Sequence, residues 1–192
     1  VRTTLPRLPS SAARHPVSTS RLYLRPLAPS DLDALYELQL QPEVMRWTAA
    51  GRPVAHKDET AAKLAQFLPP HDIETFNCAI CLAGDEDGGG TLIGIGGVKN
   101  EEGSYGWPEL GYLLRKEYWG TGLATEFVRA FLSMWEDLDR MPIELSVNAK
   151  TLAGEVVDED GSGMVSREQL VAIVDSSNAA SYRIVEKLGF EK

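Results

Sequence analysis

The sequence has little cysteine, no long apolar run, few histidines and a shortage of positive charge. Two cysteines in 192 residues exclude a disulfide framework of the kind that staples small secreted domains. No apolar stretch approaches the ~20 residues of a membrane-spanning helix, and the mean hydropathy is -0.19, so a soluble protein with no membrane partner is expected. Against 28 Asp and Glu stand only 19 Lys and Arg, a net charge of -9. That balance disfavours a nucleic-acid surface and favours cationic small molecules or basic peptides. What is present, 43% hydrophobic and 24% charged residues, suits one globular domain with its own core and excludes fibrous and wholly disordered chains.

Acidic residues are absent from Val1 to Ser30, which hold five arginines. We read residues 1–19 as an N-terminal arm and 20–192 as a single domain. The Arg- and Ser-rich start also matches an organelle transit peptide. Cytoplasmic localisation is the leading expectation, with organellar targeting left open.

Alternation in Arg21–Pro26 predicts a strand. Ser30 and Asp33 form a near capping box before an amphipathic helix that ends ahead of Pro42, and Pro42 opens a second short helix. Lys57–Leu68 reads as a helix closed by Pro69 and Pro70. Phe76–Leu82 and Thr91–Val98 read as a hairpin around GDEDGGG, with Pro108–Leu114 as the next strand. Leu123, Phe127, Ala130, Phe131 and Met134 form a helical stripe. Pro142–Val147 and Leu170–Val174 are short strand candidates. Asn178–Leu188 is a helix with Gly189 at its C′ position. The order gives an α+β fold, with no internal repeats.

Glu109–Glu126, ELGYLLRKEYWGTGLATE, carries the chemistry. A strand leads through Gly120 and Gly122 into a strong helix, so unpaired backbone N–H groups collect at the helix start and form a phosphate or pyrophosphate cradle. Arg115 and Lys116 add positive charge. The other reading is a strand-to-helix turn that uses glycine for geometry alone. A Walker loop is excluded, because GxxxxGK[ST] is absent. A dinucleotide fingerprint fails as well, with Thr125 in the third glycine position and no repeated βαβ units. A coenzyme A loop remains.

RLYLRPLAPSDLDALYEL, PELGYLLRKEYWGTGLATE and NAASYRIVEKLGF, in this order between Ser20 and Phe190, resemble the GNAT superfamily of N-acetyltransferases. Within it they resemble the branch that includes the ribosomal-protein N-terminal acetyltransferases. The resemblance implies an acyl-CoA N-acyltransferase fold, a mixed, mostly antiparallel sheet flanked by helices. It also implies acetyl-CoA as co-substrate and transfer of acetyl to a primary amine, either a peptide N-terminus or a small molecule. The pyrophosphate would rest on the amides of Trp119, Gly120, Thr121, Gly122, Leu123 and Ala124. Pantetheine and the acetyl carbonyl would lie on the backbone of Leu113, Leu114 and Arg115, with Asn178 beside them. Glu109 would be the base acting through water, and Ser181 the donor to the coenzyme sulfur.

Two positions depart from the pattern. Glu117 stands where the family's (Q/R)xxGx(G/A) motif has Gln or Arg, and Val185 stands where many members carry tyrosine. An acetyl-CoA-binding module without turnover is therefore the alternative function. The family fold continues past Phe190 into a last strand, which this sequence is expected to lack. A monomer or homodimer is expected.

Asp158–Gln169 matches an EF-hand loop at Asp158, Asp160, Ser162 and Gly163, but its twelfth position is Gln169 and its flanks read as strands. We read it as part of an acidic loop inserted at about 150–169, and no metal site is expected. Cys78 and Cys81 form a CxxC, yet in a strand residues three apart point to opposite faces. Two buried small hydrophobes are the expectation.

Overall fold

A computed structural model describes residues 1–84, 90–99, 103, 105–152, 156–157 and 164–191. In chain order the elements are β1 (Arg2–Pro6), β2 (Val17–Ser18), β3 (Leu22–Arg25), α1 (Leu32–Gln39), α2 (Pro42–Met45), α3 (Lys57–Ala65), β4 (Thr75–Leu82), β5 (Leu92–Lys99), β6 (Glu109–Leu114), α4 (Leu123–Glu136), β7 (Arg140–Glu144), β8 (Val156–Val157), β9 (Met164–Val165) and α5 (Ala179–Lys187). Among these, no helix is long and apolar enough to cross a membrane.

The sheet that carries the site has the order β2-β3-β4-β5-β6, with every neighbour antiparallel. Its centre, β4, is buried over nearly its whole length, so both faces must be covered. On one face Phe76, Cys78 and Ile80 pack with Phe127, Phe131 and Trp135 of α4. On the other, Ala79 and Cys81 pack with Leu35 of α1 and Leu64 of α3. The two cysteines thus fall on opposite faces, as strand alternation requires. Burial pushes the Cys78 thiol up to about 12 and raises that of Cys81 as well.

The aromatic stripe of α4 forms a continuous stack, with ring centroids 5.8 Å apart for Phe127 and Phe131 and 6.1 Å for Phe131 and Trp135. The stack needs Gly96 on β5. A Cβ there would stand 2.5 Å from the Phe127 ring and 2.8 Å from Tyr112 Cβ, distances at which the ring has to move.

Local signals in the sequence are used with one change. Asp31, not Ser30, organises the start of α1. Its carboxylate accepts the Ala28 N–H at 2.8 Å and a two-pronged contact from Arg25 at 2.6 and 2.8 Å. Gly189 adopts a φ of 85° just past α5, the left-handed conformation that suits a helix stop.

The N-terminal residues differ from the expected arm. Arg2–Pro6 pairs antiparallel with β7 over five positions, Arg2 opposite Glu144 through Pro6 opposite Arg140. The resulting second sheet has the order β7-β1-β9-β8. Arg14 fastens the segment that follows, with its Nε donating to the Pro9 carbonyl at 2.9 Å and its guanidinium 4.9 Å from the Phe76 ring centre. Burial lowers the pKa of this arginine.

The acidic insertion is built on the β8–β9 hairpin; β8 precedes the EF-hand-like string, β9 lies within it, and a single bridge at Val171 follows it, where a calcium hand needs a helix on either side. Residues 158–163 of that string lie outside the described residues. Its Glu168 is committed elsewhere, accepting from Arg140 Nε at 2.7 Å and from Trp135 Nε1 at 3.1 Å. Gln169 donates to the Thr151 carbonyl. Among the described residues no cluster of His, Cys, Asp or Glu suits a metal ion.

Candidate active site

Among the described residues, β6 is paired on both sides only at its start. Leu110 N–H donates to the Val171 carbonyl at 2.8 Å, and Val171 N–H donates to the Pro108 carbonyl at 3.0 Å, a parallel bridge between Glu109 and Val171. Beyond it the segment 172–175 leaves β6. Of the two predicted strands here, Leu170–Val174 is therefore a single bridge followed by chain without regular structure. The divergence opens a cleft of about 530 Å³. Its floor includes Asn77, Gly96 and Gly97, one wall carries Trp47 and Phe67, and Asn178, Ser181 and Val185 close it from α5. Glu109 lines the same cleft.

Hydrogen-bond register decides which backbone groups of β6 face this opening. Arg115 N–H donates to the Ile93 carbonyl of β5 at 2.8 Å. In an antiparallel ladder alternate residues bond to the same neighbour, so Leu113 and Gly111 also turn toward β5. Leu110 bonds on the opposite side, and with it Tyr112 and Leu114 face the cleft. The open backbone groups are thus displaced by one residue from the expected Leu113, Leu114 and Arg115. The Leu114 carbonyl accepts the Trp119 indole N–H at 2.8 Å, leaving the Leu114 N–H and both backbone groups of Tyr112.

The Arg115 side chain has a different job. Its guanidinium donates to the Ala34 carbonyl at 3.0 Å and to Glu37 at 2.8 Å, pinning the end of β6 to α1. Lys116 pairs with Glu43, and its N–H donates to Gln41 at 2.8 Å. Gln41 in turn donates to Glu117 at 3.0 Å. The positive charge read at Arg115 and Lys116 is therefore spent on α1 and the start of α2.

The loop before α4 keeps its amides free. Trp119 N–H is used by the Lys116 carbonyl at 3.1 Å, which removes it from the expected set, and the first helical bond runs from Glu126 N–H to the Gly122 carbonyl. Between them, no N–H from Gly120 to Thr125 has a partner among the described residues. Gly120 and Gly122 have φ of 72° and 83°, a conformation that costs a residue with a Cβ roughly 1–2 kcal/mol. Six unpaired donors in a row at the N-terminus of a 14-residue helix fit an anion such as a pyrophosphate.

Glu126 ties this loop to the start of β3. Its carboxylate accepts from Thr19 Oγ1 at 2.6 Å, Ser20 Oγ at 2.9 Å, Arg21 N–H at 2.9 Å and Arg21 Nε at 2.7 Å. Arg21 also donates to the Thr121 carbonyl at 2.9 Å. Burial alone would raise the Glu126 pKa, but the hydrogen bonds from Thr19, Arg21 and Ser20 outweigh it and hold the carboxyl at about 2.

Asn178 caps α5, its Oδ1 accepting the Ser181 N–H at 3.1 Å. Asp175 precedes it and accepts the Ser177 hydroxyl and N–H at 2.6 and 2.8 Å, bonds that lower its pKa. Of the two tryptophans beside the motif, Trp107 is fully buried and bonds Thr151, while Trp119 is exposed; neither lines the cleft. Sequence reasoning passed over Asn77, Phe67 and Tyr112. Only Tyr112 had a signal, the alternation that sets it between Leu110 and Leu114.

The family model for the acetyltransferase (GNAT) domain matches residues 21–191. The chain belongs to this family. GNAT acetyltransferases use acetyl-CoA as acetyl donor, and the free amides of Gly120–Thr125 with the open backbone of Tyr112 suit its pyrophosphate and pantetheine. Solved acetyltransferases from Bacillus anthracis (17% identity over 93% of this chain and 84% of that one, TM-score 0.62) and Agrobacterium tumefaciens (22%, 92% and 84%, 0.62) share the fold. So does spermidine N-acetyltransferase from Vibrio cholerae, solved with CoA and spermine (17%, 91% and 83%, 0.60). No curated protein sequence matches the chain.

Proposed function

We propose that this GNAT protein moves an acetyl group from acetyl-CoA to a primary amine, on a peptide N-terminus or a small molecule, by direct attack with both substrates bound. The observation that carries the reading is one cleft lined by Glu109, the outward backbone of Tyr112 and Ser181. Acetyl-CoA supplies the thioester that the amine attacks. The Gly120–Thr125 amides hold its phosphates, and the Tyr112 N–H is placed to donate to a carbonyl oxygen as negative charge develops there. Glu109 lines the cleft, and its carboxylate takes the amine proton through water. Ser181 donates to the departing sulfur.

Direct attack is supported by the state of the thiols. Cys78 and Cys81 are buried with raised pKa values, the reverse of what an acyl-carrying thiolate needs. The vicinity of Glu109 and Asp175 to the aromatic walls of Trp47 and Phe67 favours an acceptor with positive charge near an apolar group. Resemblance to the ribosomal-protein branch favours a peptide N-terminus, whose amine has a reference pKa of about 7.7–8.0 against about 10.4 for lysine.

The test is release of free coenzyme A thiol from acetyl-CoA with a panel of N-terminal peptides, polyamines and other primary amines. No turnover with any amine, despite binding of acetyl-CoA, favours the binding-module alternative suggested by Glu117 and Val185. Gly122→Ala tests the loop separately. Strain at φ 83° and a Cβ where the backbone must meet phosphate are expected to weaken coenzyme A binding about tenfold in calorimetry. Unchanged affinity would remove the pyrophosphate from this loop.

A further inference from the structure

Tyr112 holds a buried hydroxyl that the mechanism above leaves without a task. Its ring packs edge-on against Phe127, with centroids 6.3 Å apart. The hydroxyl oxygen is buried and has no hydrogen bond of regular geometry among the described residues. It lies against the Ser181 side chain on α5. Burial pushes the phenol up, and the contact with Ser181 acts in the opposite direction, so at neutral pH the phenol keeps its proton and has it to offer. Ser181 is arranged to receive it. Its N–H is committed to Asn178 Oδ1, which fixes the backbone there and leaves Oγ for another partner. An unmade hydrogen bond on a buried hydroxyl is destabilising, a cost relieved when the two hydroxyls close on each other.

We propose that Tyr112 is a positioning residue for Ser181. Its O–H donates to Ser181 Oγ, which turns the Ser181 O–H toward the sulfur of bound coenzyme; this rests on the acetyl-transfer reading of the cleft. As the carbon–sulfur bond breaks, its electron pair moves to sulfur and Ser181 stabilises the thiolate by hydrogen bonding. Solvent supplies the proton that completes the thiol, and the amine proton passes through Glu109 to solvent. Neither hydroxyl is consumed. The arrangement supplies from β6 what the residue at position 185, a valine, does not supply from α5.

The experiment uses the full chain with Tyr112→Phe, Ser181→Ala and the double variant. In turnover, each single variant is expected to lose about tenfold in kcat, the worth of one hydrogen bond, with the KM for acetyl-CoA within about twofold. The double variant should fall no further than Ser181→Ala, because the two hydroxyls act as a unit. An acetyl thioester with a more acidic thiol should restore both single variants, which a merely structural defect would not allow. Thermal unfolding of Tyr112→Phe should match or exceed that of the unmodified chain, since a strained buried hydroxyl is removed. A kcat for Tyr112→Phe within about twofold, or losses that multiply in the double variant, overturns the proposal.

A second measurement needs no turnover. Titration of thiolate absorbance in the complex with coenzyme A should show the thiol pKa raised by about one unit in Tyr112→Phe, a tenfold change in equilibrium. An unchanged value overturns the role of Tyr112 even if no acceptor is found. Absence of turnover in the unmodified chain overturns the transfer reading instead.

Discussion

Glu126→Gln should cost the protein about 3 kcal/mol at pH 7, measured by urea unfolding. The carboxyl sits at about 2 in the folded chain against an ordinary value of 4.5, and each unit is worth about 1.4 kcal/mol. The carboxylate is 15% exposed but its Arg21 partner is 49% exposed, so solvent screens part of this and the expected cost stays below the full conversion. The sign follows from proton uptake. Above pH 4.5 the carboxyl is ionised in both states and the full contribution is present. As pH falls from 4.5 toward 2 the unfolded chain takes up a proton that the folded chain refuses, and stability declines. Below 2 the contribution is gone. The variant should therefore show a shallower loss between pH 4.5 and 2, with the gap to the unmodified protein closing at the acid end. Equal urea midpoints at pH 7 and parallel acid profiles would show that Thr19, Ser20 and Arg21 gain nothing from the charge.

The second large effect is catalytic. Glu109→Gln is expected to lower kcat/KM by about 100-fold, the smaller end of the range for losing a general base. The substitution is gentle to the fold, because Glu109 is held by its backbone, opposite Lys99 on β5 and Val171 on the other side. Glutamine keeps the length and loses the ability to accept a proton. The loss should depend on the acceptor. It should be greatest for lysine-like amines, which arrive protonated, and smaller for N-terminal α-amines, a good share of which are already neutral near pH 8. Raising the pH of the assay should narrow the gap for both. A variant with unchanged kcat/KM across the panel would remove Glu109 from the chemistry.

Much of the site was legible because its signals are local. The stripe Leu123, Phe127, Phe131 and the glycines before it specify a helix with an open N-terminus without reference to the rest of the chain. Asn178 three residues before Ser181 specifies a cap, and it is one. The faces of Cys78 and Cys81 follow from strand alternation alone. The displacement from Leu113 to Tyr112 was not legible. Alternation tells which side chains share a face, whereas the direction of each amide depends on whether Arg115 or Leu114 bonds to β5, and that is set by the Ile93–Arg115 register across the hairpin. The pairing of β1 with β7 was hidden for a related reason. RTTLP carries a weak pattern, and its partner lies more than 130 residues away with a proline of its own at Pro142. Likewise nothing near Arg115 in sequence announces that Glu37 will take up its charge.

The burial of both cysteines bears on how the protein is to be measured. Reagents that report coenzyme A do so by reacting with free thiols, and Cys78 and Cys81, 4% and 0% exposed on the two faces of β4, should be silent to them in the native state. A thiol signal during turnover then belongs to product alone. The same silence makes the pair a clock for the interior. Each thiol can be labelled only when the layer on its own side lifts from the sheet, so the rate at Cys78 times the opening of α4, and the rate at Cys81 times that of α1 and α3.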